Sequence, residues 1–174
     1  MKEPDTIHFI FTGGTIDSYY DGSKDTAVPN KHSVIPDYLK QLKLYINFKF
    51  TEICMKDSRQ ITDKDTKAVC DAVETSPCKM IIITHGTYTM PDTARYLDKN
   101  LSRKDQKIVL TGSMIPLKGF EFTDAPFNLG FALANVKNIE NGVYVAMNGN
   151  LFTAENVAKQ LTEGRFYSIS KSVK

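Results

Sequence analysis

Three times in this chain an apolar run stops at glycine and hydroxyl-bearing residues. Ile7-His8-Phe9-Ile10-Phe11 halts at Thr12-Gly13-Gly14 and gives way to Thr15-Ile16-Asp17. Met80-Ile81-Ile82-Ile83 ends in Thr84-His85-Gly86-Thr87-Tyr88-Thr89-Met90. Lys107 to Leu110 ends in Thr111-Gly112-Ser113-Met114-Ile115-Pro116. Short apolar runs bounded by such residues read as buried strands. The glycines let the backbone turn sharply and come close to a bound molecule.

Helical segments fill the spaces between the runs. One begins near Ser33, with Pro36 in its first turn and Ile35, Leu39 and Leu42 at helical spacing. Phe48 to Cys54 reads as a second strand, followed by the polar loop Met55 to Gln60. Thr62 and Asp65 have capping-box spacing for a helix that buries Val69, Ala72 and Val73 and stops near Pro77. Thr89 and Asp92 repeat that spacing for a further helix with Pro91 in its first turn. Asp124 stands as the cap of a helix with Phe127, Phe131 and Ala134 on one face. Gly142 to Met147 is a further strand, and Asn148-Gly149 is a hairpin turn with Leu151 and Phe152 on the return. The polar segment Asp17 to Lys31, with Tyr19 and Tyr20 at its start, is a lid or a surface excursion. From Ala154 the pattern fits a short helix or irregular chain, with fraying expected over Ser168 to Lys174. Strands alternating with helices imply βαβ units. The expected fold is α/β: one three-layer α/β/α domain over residues 1–174, with a mostly parallel sheet.

The totals narrow the function classes. With 174 residues, 41% hydrophobic and 24% charged, the chain can bury a substantial core. A formal charge of +2 with scattered basic residues argues against nucleic acid as a partner. No apolar stretch approaches the roughly 20 residues of a membrane span. Cys54, Cys70 and Cys78 form no CxxC pair, and no signal-peptide h-region opens the chain; both favour a reduced, cytoplasmic protein. Neither a G-x-G-x-x-G after the first strand, nor a phosphate-binding G-x-x-x-x-G-K-[ST], nor a G-x-S-x-G elbow is present. His8, His32 and His85 make no metal set, and His85 reads more readily as a support for its loop.

A parallel sheet sets the ends of its strands along one edge, where ligands of open α/β sheets bind. Gly14-Thr15, Asp57-Ser58, Gly86-Thr87 and Gly112-Ser113 can therefore converge on one crevice. Hydroxyls beside backbone N–H groups suit a small polar ligand, or acyl transfer needing a nucleophile and an oxyanion pocket. Each also has a plainer reading. Thr15 could cap a helix, Ser58 and Thr87 could close turns, Tyr20 could be a loop aromatic, and Lys159 and Arg59 could be solvated charges. Arg59 could equally answer an acidic group beside that loop.

Thr12-Gly13-Gly14-Thr15-Ile16 and Thr84-His85-Gly86-Thr87-x-Thr89-Met90 resemble the two signature segments of the bacterial L-asparaginase family, in order and separation. Leu110 to Met114, Asp124 to Leu129, and Val145 to Gly149 followed by Ala158-Lys159 resemble further family segments, so the likeness covers about residues 6 to 168. The resemblance implies a Rossmann-like amino-terminal asparaginase domain. The family's carboxy-terminal domain would be absent, as in its short single-domain forms. It implies hydrolysis of L-asparagine to L-aspartate and ammonia through a threonine acyl-enzyme, with no cofactor and no metal, in a homodimer or higher homo-oligomer. By the same match Thr15 is the nucleophile and Tyr20 its hydrogen-bonding tyrosine from a mobile loop. Thr87 is the second catalytic threonine and Lys159 its proton relay. Asp57 and Ser58 fall on the substrate loop, with Ser58 holding the α-carboxylate, and Gly14, Gly86, Tyr88 and Ser113 line the pocket.

Tyr88 departs from that pattern: the family has an aspartate there, which anchors the substrate's α-ammonium and pairs with the lysine. A lost charge-assisted hydrogen bond costs about 1.5–3 kcal/mol, or about one to two powers of ten in rate. Losing the carboxylate also favours deprotonation of Lys159. The chain therefore reads as a weakened amidohydrolase. The alternative is an impaired amino-acid-binding or regulatory protein of the same fold.

Overall fold

In the strand Met80-Ile81-Ile82-Ile83-Thr84, successive side chains enter different cores. Ile81 and Ile83 belong to one apolar cluster and Ile82 to the other. A strand buried on both faces needs a layer of helices on each side. The computed structural model, which describes residues 6–170, has that architecture.

In chain order the elements are β1 (Thr6–Gly13), the hairpin β2 (Ser18–Asp21) and β3 (Thr26–Pro29), α1 (Ile35–Gln41), β4 (Asn47–Lys56), α2 (Asp63–Glu74), β5 (Met80–Thr84), α3 (Met90–Asn100), β6 (Lys107–Thr111) and α4 (Ala125–Asn138). They continue with β7 (Gly142–Met147), β8 (Asn150–Thr153) and the ribbon β9 (Ala158–Gln160) and β10 (Arg165–Tyr167). The main sheet runs β4-β1-β5-β6-β7-β8. All its pairings are parallel except that of β7 with β8, closed by the Asn148-Gly149 turn, both of whose residues have positive φ. One residue layer crosses the sheet as Phe50, Phe9, Ile82, Val109 and Tyr144.

Helices α2 and α3 cover one face through Val69, Val73, Met90, Ala94 and Leu97. Helices α1 and α4 cover the other through Ile35, Leu39, Leu129, Ala132 and Val136. The connection leaving β1 carries α1, and the connection leaving β5 carries α3. The two depart to opposite faces of the sheet, which opens a crevice at the carboxyl ends of β1 and β5.

Several local expectations change. In α4 the buried side chains are Ala125, Asn128, Leu129, Ala132, Leu133 and Val136, while Phe127 is exposed and stacks on Phe131 at 6.1 Å. The small alanines let the helix approach the sheet, and the aromatic pair lies outside that contact. Asp124 stands at the helix N-cap, yet its carboxylate accepts from the backbone N–H groups of Met114 (2.9 Å) and Ile115 (2.9 Å). The capping box at Thr62 and Asp65 forms. The one at Thr89 and Asp92 does not, because the Thr89 hydroxyl donates to the Ser58 carbonyl at 3.0 Å and Asp92 pairs with Arg95 at 2.8 Å. The segment after Thr15, expected as a lid or a surface excursion, is a 3-10 turn and a β-hairpin, and the tail opens with the expected short helix, a 3-10 turn at Ala154–Asn156, before the β9–β10 ribbon. Of the stretch expected to fray, Ser170 is tied to Asn156 by its backbone N–H (2.7 Å), and 171–174 lie outside the described residues.

Candidate active site

The crevice is built by three strand ends brought into backbone contact. The register of β1 against β4 slips between Phe11 and Gly13, and the N–H of Gly14 then donates to the Lys56 carbonyl at 2.8 Å. Gly14 adopts φ 80° and ψ −179°, a conformation essentially restricted to glycine. A Cβ on it would lie 2.4 Å from the N and Cα of Gly86. Gly86 in turn has no room for a side chain, since a Cβ there would meet Ser58 Cβ at 2.5 Å. The loops after β1, β4 and β5 thus interlock. Ser58 Oγ accepts from the Tyr88 N–H at 3.2 Å, fixing the last two together.

Around this contact lies an open crevice of roughly 230 Å³. Thr15, at the start of its 3-10 turn, lines it with Gly86, Thr87 and Tyr88. Asp57, Ser58 and Arg59 supply a second wall, and Lys159 reaches in from β9. The Lys159 ammonium donates to Thr87 Oγ1 at 2.6 Å, and the Thr87 hydroxyl points at Met114 Sδ, 3.7 Å away. The ribbon carrying Lys159 is held from outside. Arg95 Nη1 donates to the Val157 carbonyl at 2.9 Å, and the Phe166 N–H to Asn148 Oδ1 at 3.0 Å. Burial holds the Lys159 ammonium below the ordinary lysine pKa; the Arg59 cation pushes the same way, and Asp57 opposes both. A lysine so depressed, joined to a threonine hydroxyl, can exchange a proton with it.

Asp57 is already engaged. Its Oδ1 accepts from Arg59 Nε (2.9 Å) and backbone N–H (2.9 Å), and its Oδ2 from Arg59 Nη2 (3.2 Å). The guanidinium holds this carboxyl below its usual range. Arg59 therefore belongs to the crevice wall. Tyr88 lines the crevice with its ring half exposed.

Three expected site residues are not among those lining the crevice: Gly14 abuts the lining residue Gly86 through its backbone, and Ser113 and Tyr20 lie elsewhere. Ser113 is fully buried, with its hydroxyl donating to the Ile115 carbonyl at 2.5 Å, and is not among the crevice-lining residues. The Gly112 backbone takes that strand end against the His85 carbonyl instead, which turns the serine inward. Tyr20 sits on the outer hairpin, 53% exposed, and its hydroxyl donates to Asp25 Oδ1 at 2.5 Å rather than reaching Thr15. His85 supports its loop. It is buried, with Nδ1 2.8 Å from the Gly86 carbonyl and Nε2 3.0 Å from Thr93 Oγ1, and burial lowers its pKa. A neutral ring with hydrogen on Nδ1 satisfies both contacts. Met114, whose Sδ faces the Thr87 hydroxyl, belongs to a family-like segment, but a thioether carries no chemical signature in sequence that assigns it this place. Among the described residues no cluster of His, Cys, Asp or Glu could hold a metal ion, and no helix is long and apolar enough to cross a membrane.

Two threonines and a lysine thus line one crevice at the switch point of an open α/β sheet, the place where such sheets bind ligands. The chain belongs to the asparaginase family: residues 6–170 match the family model for the asparaginase N-terminal domain. It is 34% identical over 164 residues to a glutaminase-asparaginase of Acinetobacter glutaminasificans, covering 88% of this chain and 49% of that protein. It is 30% identical to L-asparaginase 2 of Escherichia coli K12, covering 90% of this chain and 47% of that one. The crystal structure of a probable cytoplasmic L-asparaginase from Campylobacter jejuni superposes with a TM-score of 0.79 at 29% identity, over 94% of this chain and 53% of that chain. The chain thus spans about half the length of the relatives it matches.

Proposed function

We propose that this domain is an L-asparaginase-type amidohydrolase that releases ammonia from a side-chain amide through an acyl-enzyme on Thr15. The observation that carries the reading is the 2.6 Å contact between Lys159 and Thr87 in the crevice that Thr15 also lines. The Thr15 oxygen attacks the amide carbon and its proton passes to the departing nitrogen, which leaves as ammonia. Backbone N–H groups of the glycine-rich loops and the Thr87 hydroxyl stabilise the oxyanion. Lys159, depressed by burial and Arg59, relays a proton through Thr87 to activate the water that frees the acid and restores Thr15. Tyr20 reaches Thr15 when the β2–β3 hairpin closes over the crevice, exchanging its bond to Asp25. Ser58 and the walls beside Gly14 and Gly86 hold the carboxylate end of the substrate. We further propose a cytoplasmic, homo-oligomeric protein that takes L-asparagine with reduced efficiency, because Tyr88 supplies no charge for an α-ammonium.

A second reading, a binding or regulatory protein without turnover, draws on Tyr88 and on the pairing of Asp57 with Arg59. Ammonia release from L-asparagine by purified protein separates the two. Thr15→Ala should bring it to background, and unchanged release from that variant refutes the nucleophile assignment.

A further inference from the structure

The charges lining the crevice do not suit a free amino acid. Among the described residues that line it, Asp57 is the one acid, and both of its oxygens are taken by the Arg59 fork at 2.9 and 3.2 Å. Arg59 is a cation, Lys159 a second basic side chain, and Tyr88 stands there without a carboxylate. An α-ammonium entering here meets the Arg59 guanidinium and a carboxylate already paired with it. Arg59 is the opposite case. Its side chain is 70% exposed, and Asp57 engages its Nε–H and one Nη2–H, so the rest of the fork faces solvent and can accept a second carboxylate.

Resting on the amidohydrolase reading above, we infer that the preferred substrate is a carboxylate-bearing primary amide whose α-position carries no free ammonium, of the succinamate type, with Arg59 as the residue that sets this preference. Hydrolysis is balanced without a co-reactant beyond water: the amide C–N bond breaks, an ester to Thr15 forms and is cleaved, and ammonia and the dicarboxylate leave. Both amides carry the carboxylate that Arg59 attracts, so the discrimination comes from the ammonium, for which Arg59 removes the needed anion by holding Asp57.

The test compares kcat/KM for ammonia release from succinamate and from L-asparagine, in the wild-type chain and in Arg59→Gln. Wild type is expected to favour succinamate by at least about tenfold, the worth of one charge-assisted bond. Arg59→Gln, which frees Asp57, is expected to move the ratio toward L-asparagine by a similar factor. Thr15-dependent release that favours L-asparagine in wild type, or a ratio unmoved by Arg59→Gln, overturns the inference while leaving the amidohydrolase reading intact. Calorimetric binding of succinate and L-aspartate to Thr15→Ala reads the preference without catalysis. Tighter succinate binding supports the inference even if no amide is turned over, an outcome that would overturn the reading instead. Tighter L-aspartate binding overturns the inference.

Discussion

Gly86→Ala puts the interlocked loops to a direct test. The added methyl would sit 2.5 Å from Ser58 Cβ, 2.7 Å from Ser58 Oγ and 2.9 Å from Ser58 N, where unstrained carbon contacts lie near 3.5–4.0 Å. Relief requires a shift of about 1 Å. Ser58 cannot make it alone: its Oγ holds the Tyr88 N–H and its carbonyl holds the Thr89 hydroxyl, so movement passes to the loop bearing Thr87. Overpacking of this kind costs about 1–3 kcal/mol, or about 2–12 °C in Tm for a domain of this size. A misplacement of about 1 Å in a reacting group costs on the order of 100-fold in rate. Gly130→Ala is the control, because that glycine lies exposed in α4 with nothing within 4 Å of a new Cβ. It should gain about 0.5–1 kcal/mol from helix propensity and leave turnover unchanged. Differential scanning calorimetry and ammonia release measure both effects. A Gly86→Ala variant with unchanged Tm and activity within about threefold of wild type would falsify the claim that these loops interlock.

Lys159→Met should lower ammonia release by about 100- to 10,000-fold with little change in Tm, since the ammonium acts through Thr87 and not in the core; release within about fivefold of wild type would remove lysine from the mechanism. Because the Arg59 cation helps hold Lys159 down, and the amine must be free of its proton to take one through Thr87, Arg59→Gln should move the rising limb of the pH–rate profile to higher pH, and a shift to lower pH would contradict that coupling. Tyr88→Asp should raise kcat/KM for L-asparagine by at least about tenfold, with no gain refuting the lost-anchor account. Stability should depend on pH through two opposed groups. Burial pushes Asp17 up to about 6, against hydrogen bonds from Ser33 and Val34 and with Glu52 adding to the rise. Its stabilising contribution is thus full below about 4 and is lost as pH rises through about 6. Burial, aided by Lys49, pushes His8 down to about 4, so its contribution is full above about 6.5 and is lost as pH falls through about 4. Urea unfolding against pH should show Asp17→Asn gaining about 1–3 kcal/mol relative to wild type between pH 4 and 7, and His8→Gln flattening the loss between pH 6.5 and 4; slopes of the reverse sign would refute these assignments.

Local rules wrote much of this fold into the chain. The apolar runs of β1, β5, β6 and β7, the Thr62 capping box and the Asn148-Gly149 turn are decided by residues a few positions apart, and each forms where its pattern stands. So does the bend at Gly13-Gly14, since other residues are strained at the φ and ψ found there. Propensity could not choose between uses of one side chain. Thr89 has cap spacing, but a carbonyl from a loop 31 residues away claims its hydroxyl. In α4, alanines and phenylalanines both repeat at helical intervals, and only docking against the sheet buried the alanines. The chemistry of the crevice is likewise tertiary. Lys159 meets Thr87 across 72 residues because the ribbon is pinned by Arg95 and Asn148. The Arg59–Asp57 pair is local, its members two residues apart, but only the placing of the turn after β4 sets it in the same opening as Lys159 and Thr87. Distances between groups this far apart depend on strand register and loop packing, which no local pattern encodes.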